Sequence, residues 1–444
     1  MSKKDFLENM KALLGENYGE FEQSLDLPAF RGLYVNSLKC DIDKFKRLFP
    51  YALKNTHFSG AGFYIDSDIE KLGINPLHHA GAFYLQEPSA MSVASVVNAK
   101  EGEKVLDLCA APGGKSVGLA NSLKNSGLLW SNEYVKSRSF TLLSNMERIG
   151  VKNAVISNST PEALAKSLKA FFDKVLVDAP CSGEGMLRRE KAEYDDWNTK
   201  NISICVNRQK NILDNAAKML KSGGELTYST CTFNREENEE IALWFLKNHP
   251  EFEILEIKNH FGRDGFGLKQ AKRIFPADGG EGHFIVKFRK GEDTQNVKFS
   301  GFTYDKIPPV FRDFWESTFT TEVPENITNT GSRIYIIPSL LPKTEGINII
   351  RAGILAGEIR GKNFIAHHNL FSCAEMGKCK NYIDLPLSSP LLLKFLHGEE
   401  IPVSDFNVNK GWCAVFCEGI ALGFGKVSGG QMKNHYPKGL RNLV

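Results

Sequence analysis

Residues 104–124 read KVLDLCAAPGGKSVGLANSLK: a short apolar run, a loop holding two adjacent glycines, then a stretch of helical period. Strand, tight glycine turn and helix, in that order, open a parallel α/β unit whose ligand lies over the carboxyl ends of the strands. Gly113 and Gly114 permit the close backbone approach that such a ligand requires. Two lookalike motifs fit poorly. A Walker-type phosphate loop needs glycine where Cys109 stands, five residues before Gly114. A dinucleotide fingerprint needs separated glycines, and these two are adjacent behind Pro112.

Outward from this loop the pattern repeats. LLWSNE (128–133), NAVIS (153–157), KVLVDAP (174–180) and ELTYSTC (225–231) are strand candidates separated by helical stretches. This alternation, from Glu103 to about Arg289, predicts a mostly parallel sheet covered by helices on both faces, an α/β fold. The clearest helix runs from Arg208 to Lys221, with Ile212, Leu213, Ala216, Ala217 and Leu220 on one stripe before Gly223 and Gly224. FEILEI (252–257) and HFIVKF (283–288) are further strands that would close the sheet.

The flanks differ in texture. Residues 1–95 mix a helical pattern (Phe6, Met10, Leu13, Leu14) with the extended RGLYVNSLK at 31–39. KGEDTQNVK (290–298) reads as a linker, and beyond it comes Gly-rich β patterning such as GWCAVFCEGIALGFGKV (411–427). Four units are expected: an N-terminal α/β extension (1–95), the α/β core (96–290), a small α+β domain (299–370) and a C-terminal α+β domain (371–444).

Composition bounds the function without naming it. Of 444 residues, 42% are hydrophobic and 24% charged, which excludes a largely disordered chain. A formal charge of +3 does not by itself mark a nucleic-acid binder. The opening MSKKDFLENMKALLG scatters charges among its apolar residues, and no run approaches the roughly 18 apolar residues of a membrane span. Nine cysteines, an odd number at irregular spacings, then read as reduced thiols of a cytoplasmic protein. Cys40, Cys205, Cys373, Cys379, Cys413 and Cys417 are expected to be small core residues, and no pair among them has two-residue zinc spacing, so no metal is expected.

Chemistry concentrates on the loops that follow strands. Glu133 ends the second strand, about 20 residues past the glycine turn, where an acidic side chain holds the ribose of an adenosine ligand; it would alternatively cap the helix starting near Val135. VDAPCSGEG (177–185) puts Asp178 and Cys181 after one strand, and YSTCTFNREENE (228–239) puts Cys231 after the next. Two thiols and a carboxylate therefore converge at one sheet edge beside the glycine loop. A thiolate that adds to carbon 6 of a pyrimidine makes carbon 5 nucleophilic, and a carboxyl on the ring nitrogen stabilises the developing charge. Spacing alone does not rank the two thiols.

CAAPGGK, DAPCSGEGM, WN followed by RQKNIL, and YSTCTFNREENEE together resemble the Sun-type RNA cytosine-5 methyltransferases, most closely the RsmF-like ribosomal RNA enzymes. The resemblance covers nearly the whole chain. It implies a Rossmann-like class I methyltransferase sheet, an N-terminal RNA-binding extension, and a PUA-like RNA-binding module ending in GFGKVSGGQMKNHYPKGLR (423–441). It also implies S-adenosylmethionine held by Cys109, Ala110, Ala111, Pro112, Gly113, Gly114 and Lys115, with Glu133 on the ribose, Arg138 near it, and Asp178 at cofactor and base. Cys231 would be the nucleophile and Cys181 would promote product release. The implied substrate is ribosomal RNA or the small ribosomal subunit, met by a monomer; transfer RNA and a non-catalytic assembly role are the alternatives. The chain departs from the family pattern at Ser159 and Thr160, where members carry an adenine-contacting Asp, at Ala277, where others have histidine, and within GKNFIAHHNLF (361–371).

Overall fold

Five parallel strands form the centre: β1 (Lys104–Asp107), β2 (Leu128–Asn132), β3 (Ala154–Ser157), β4 (Phe172–Asp178) and β5 (Leu220–Thr230), in spatial order β3-β2-β1-β4-β5. This computed structural model describes residues 3–188, 199–292 and 297–441. Trp197, Asn198 and the middle of the expected linker lie outside the described residues. Successive side chains enter two different cores. Leu106, Trp130, Val175 and Val177 pack on one side with Leu213 and Ala216, and Val105, Leu129 and Leu176 on the other with Val117 and Leu142. Strands buried on both faces must be apolar throughout, which is why they read as unbroken hydrophobic runs. Trimming one of these to alanine costs about 2–5 kcal/mol.

Helices α1 (Gly114–Leu123), α2 (Lys136–Ile149), α3 (Thr199–Met219) and α4 (Glu239–Asn248) supply the covering layers. The sheet continues past β5 through antiparallel β9 (His283–Lys290), β8 (Leu268–Ile274) and β7 (Arg263–Gly265), with β6 (Phe252–Leu255) also on β9. Both expected closing runs are thus in the sheet. At the opposite edge β10 (Ile349–Ala352), from beyond the linker, pairs antiparallel with β3 and covers it.

Two local expectations need correction. Helix α3 stops at Met219 rather than Lys221, because Leu220 already pairs with Phe172 in the sheet. Gly223 and Gly224 accordingly lie within β5, Gly223 in the left-handed region at φ +71°, and do not form a helix cap.

The N-terminal helix Lys3–Leu14 buries Phe6, Met10 and Leu14, with Phe21, against Leu187, Phe233 and Phe275 of the core. Behind it a four-stranded antiparallel sheet includes Arg31–Val35 and Gly62–Ile65. The C-terminal part holds a four-stranded and a five-stranded sheet, the latter with Gly411–Cys417 paired to Ile420–Ser428 as the Gly-rich pattern predicts. The expected division at 370 falls inside the helix His368–Ser372, and Phe311 and Phe364 share one core with Phe416 and Phe424. Among the described residues no helix is long and apolar enough to cross a membrane.

Candidate active site

The loop after β1 is pinned from three directions. The Ala110 amide donates to the Asn132 carbonyl (2.8 Å), and the loop carbonyls of Ala111 and Pro112 accept from Arg138 Nη2 (2.8 Å) and Asn145 Nδ2 (2.9 Å) of α2. Gly113 turns the chain at φ +119° into α1, and Gly118 on that helix lets it lie against Ala94, where a Cβ would come within 2.6 Å. The loop is therefore a rigid rim over the ends of β1 and β2. Asp107, fully buried at the end of β1, accepts from Ser116 Oγ (2.7 Å) through one oxygen, while its Oδ1 has no hydrogen-bond partner among the described residues. Burial pushes this carboxyl up to about 7.

Glu133 lies at the end of β2 with its carboxylate nearly buried; Oε1 accepts from the Val135 amide (2.8 Å) and Oε2 is 3.8 Å from Arg138 Nη1. It thus steadies the entry to α2 as well as facing the rim. Arg138 is a strut between Glu133 and the Ala111 carbonyl.

The two cysteine loops meet. Cys181 Sγ stands 3.4 Å from Cys231 Sγ. Beside them Lys115 Nζ pairs with Asp178 Oδ2 at 2.7 Å, and Ser229 Oγ donates to Asp178 Oδ1 at 2.7 Å. The hydrogen bond to Cys231 and burial push the Cys181 thiol well up. Burial alone would lower the Lys115 ammonium, but the Asp178 charge and hydrogen bond hold it above the usual lysine range. The two thiols thus lie beside a fixed ion pair of lysine and aspartate. Burial also pushes the Cys109 thiol well up, so it packs as a neutral side chain of the loop.

Sequence reasoning missed what holds these loops in register. Glu184 Oε2 accepts from Thr232 Oγ1 (2.7 Å) and from the Phe233 and Asn234 amides (both 2.8 Å), crossing from the first cysteine loop to the second. Glu237 reaches back, accepting from the Ser182 amide (3.0 Å), Asn234 Nδ2 (2.8 Å) and Gln209 Nε2 (2.7 Å), and burial pushes its carboxyl up. The Gly185 amide donates to the Cys231 carbonyl (2.8 Å). Both acidic side chains lie inside motifs already quoted, and acids repeated within loops next to thiols were the available signal. At the segment that departs from the family pattern, the Asn348 amide donates to Ser159 Oγ (2.9 Å), so residues beyond the linker close this side of the sheet edge.

Comparison with known proteins agrees with this arrangement. A family profile described as 16S rRNA methyltransferase RsmB/F matches residues 94–289, one for the N-terminal domain of 16S rRNA methyltransferase RsmF matches 3–88, and one for the methyltransferase RsmF PUA domain matches 380–442. The ribosomal RNA small subunit methyltransferase F of Pectobacterium carotovorum is 30% identical over 82% of this chain and 81% of its own. The protein of the same name from Vibrio campbellii is 29% identical over 98% of this chain and 96% of its own. A methyltransferase homologue from Pyrococcus horikoshii, known from its crystal structure, superposes with a TM-score of 0.58 at 30% identity, covering 65% of this chain and 95% of that one. The central sheet, its converging loops and these matches lead to one conclusion: the chain belongs to the RsmB/F family of 16S rRNA methyltransferases.

Proposed function

We propose that this chain methylates carbon 5 of a cytosine in small-subunit (16S) ribosomal RNA, using S-adenosylmethionine and a covalent adduct at Cys231. The observation that carries the reading is the 3.4 Å approach of Cys181 to Cys231 beside the Lys115–Asp178 pair, at the sheet edge where the cofactor loop ends. The fit to the cofactor rests on two features: the buried, unpartnered oxygen of Asp107 suits a cationic ligand group, and the nearly buried Glu133 suits ribose hydroxyls. When bound, S-adenosylmethionine supplies an electrophilic methyl group.

The chain's own residues do the rest. Cys231, beside the Lys115–Asp178 pair, adds to carbon 6 of the base as its proton passes to Asp178. Asp178 hands that proton on to the ring nitrogen and so stabilises the charge that the addition develops. After methyl transfer the proton on carbon 5 must leave to water as Cys231 is expelled, and Cys181, a thiol 3.4 Å from Cys231 Sγ, assists by donating a hydrogen bond to the departing sulfur. Residues 1–95 and 371–444 are assigned to RNA binding, 96–290 to catalysis, and 299–370 to joining them. The ribosomal substrate is supported by the names of the relatives.

The test separates the two cysteines. Cys231→Ser should abolish methylation and leave no protein–RNA adduct on a denaturing gel. Cys181→Ser should permit attack and transfer but stall release, so an adduct accumulates when S-adenosylmethionine is present. Adduct from the Cys231 variant alone would reverse the roles, and full activity in both would defeat the covalent mechanism. Bisulfite sequencing of 16S and transfer RNA from cells lacking the protein identifies the substrate, and a site lost from transfer RNA instead would overturn the ribosomal assignment.

A further inference from the structure

A buried carboxylate, hydroxyl and imidazole are joined in series, the imidazole within the electrostatic reach of Lys115 and Asp178, and the reaction above uses none of them. Glu87 caps the helix Pro88–Val97, accepting from the Ser89 and Ala90 amides (2.9 and 2.8 Å) and from the Ser89 hydroxyl. The Ser89 oxygen lies 3.4 Å from His283 Nδ1. Because the Ser89 hydroxyl proton goes to Glu87, its oxygen is left to accept. Nδ1 then carries the ring proton and Nε2 a bare lone pair. That Nε2 is buried and has no hydrogen-bond partner among the described residues.

His283 opens β9, and the pairing of Phe284 with Thr230 sets it level with the end of β5, next to Cys231. The charged groups that face it are Lys115, Asp178 and Glu87. Burial, with Lys115, holds the imidazole down at about 4, so it is a neutral acceptor at neutral pH. A buried acceptor left unsatisfied is unfavourable, and one within the field of a partly buried ammonium marks a place for that ammonium to go.

We propose that His283 Nε2 is the second acceptor for the Lys115 ammonium, receiving it when Asp178, carrying the proton of Cys231, turns to the ring nitrogen of the substrate base. The inference rests on the role given to Asp178 above. Lys115 then keeps a partner, stays charged beside Cys231 through the addition, and returns to Asp178 on release. His283 is a positioning residue, acting through Lys115.

The test is a mutant cycle on the full chain without RNA, so it does not depend on methylation. Asp178→Asn removes the carboxylate charge and leaves Lys115 to Nε2. His283→Asn keeps a donor near Ser89 but loses the far acceptor, whereas the amide oxygen of His283→Gln reaches the Nε2 position. His283→Asn should therefore lower the melting temperature more in the Asp178→Asn background than in the wild type, and His283→Gln should restore additivity. With RNA, His283→Asn should lower kcat by about tenfold at an unchanged KM for S-adenosylmethionine, and Gln should recover most of it. Additive melting shifts, or Asn serving as well as Gln, overturn the proposal. A wild-type protein inactive on RNA would overturn the reaction assigned above, while the melting cycle would still decide the fate of Lys115.

Discussion

Asp107 shows how one side chain couples stability to the cofactor site. One oxygen is satisfied by Ser116, the other is buried without a partner among the described residues, and the carboxyl is pushed up to about 7 from 3.8. A folded-state pKa above the unfolded one means the proton favours folding. The contribution is fully present below pH 3.8 and is lost as pH rises through about 7. Asp107→Asn keeps the shape without the charge, so the cofactor-free variant should melt close to wild type at pH 5 and above it at pH 8. Circular dichroism melts at the two pH values check this, and equal wild-type and variant curves at pH 8 would refute it. Glu133 belongs to the same scale. Glu133→Ala should weaken S-adenosylmethionine binding by about 1–3 kcal/mol by calorimetry. Because Oε1 also holds the Val135 amide, Glu133→Gln, which keeps an acceptor there, isolates the part due to charge.

Between elements, the proposed active site depends on two loops, 50 residues apart at their thiols, keeping one register. Glu184 accepts hydrogen bonds from the Thr232 hydroxyl, the Phe233 and Asn234 amides and the Asn234 side chain of the far loop, and the aromatic ring of Phe233, two residues past Cys231, is clamped between Phe21 (5.5 Å) and Phe275 (5.3 Å). Glu184→Ala leaves the buried Phe233 amide and the partly buried Asn234 amide without their acceptor. It should cost about 1–3 kcal/mol of stability and at least tenfold in single-turnover methyl transfer, measured by thermal melts and rapid quench. Wild-type turnover in a destabilised variant would show that the loops keep register without it. This scale also marks what sequence could reveal. The strand ends carrying Asp178, Cys181 and Cys231 were legible, because apolar runs and polar loops alternate locally. The Glu184 and Glu237 bridges were not, since a contact between loops depends on which strands become neighbours. The true end of α3 was hidden for a related reason: pairing of Leu220 with Phe172 overrides the local glycine signal.

Across the whole molecule, the C-terminal module is built into the N-terminal one. Leu33, Phe45 and Phe83 form a single core with Ile383, Phe395, Leu422 and Tyr436. Tyr436, which the basic and aromatic tail suggests as a stacking residue for RNA, is instead buried with its hydroxyl 2.8 Å from His79 Nδ1. Lys39 crosses the same boundary, donating to the carbonyls of Ala80 (2.8 Å) and Ala421 (3.1 Å), and burial holds its ammonium down at about 7. A tail sequence cannot reveal this, because the apolar residues that identify a core do not say whose core it is. Removing residues 371–444 would therefore uncover apolar surface of the N-terminal extension, and the truncated chain should lose thermal stability and become sensitive to proteolysis within residues 31–85. Loss of RNA binding in such a truncation would say little about contact. Lys433 and Lys438 remain exposed on the intact module. Replacing either with Ala should leave melting unchanged and reduce the slope of log affinity against log salt by about 0.7–1 if it contacts a phosphate. A truncation that melts like the full chain would dissolve the shared core, and lysine variants with an unaltered salt slope would move the RNA path away from this tail.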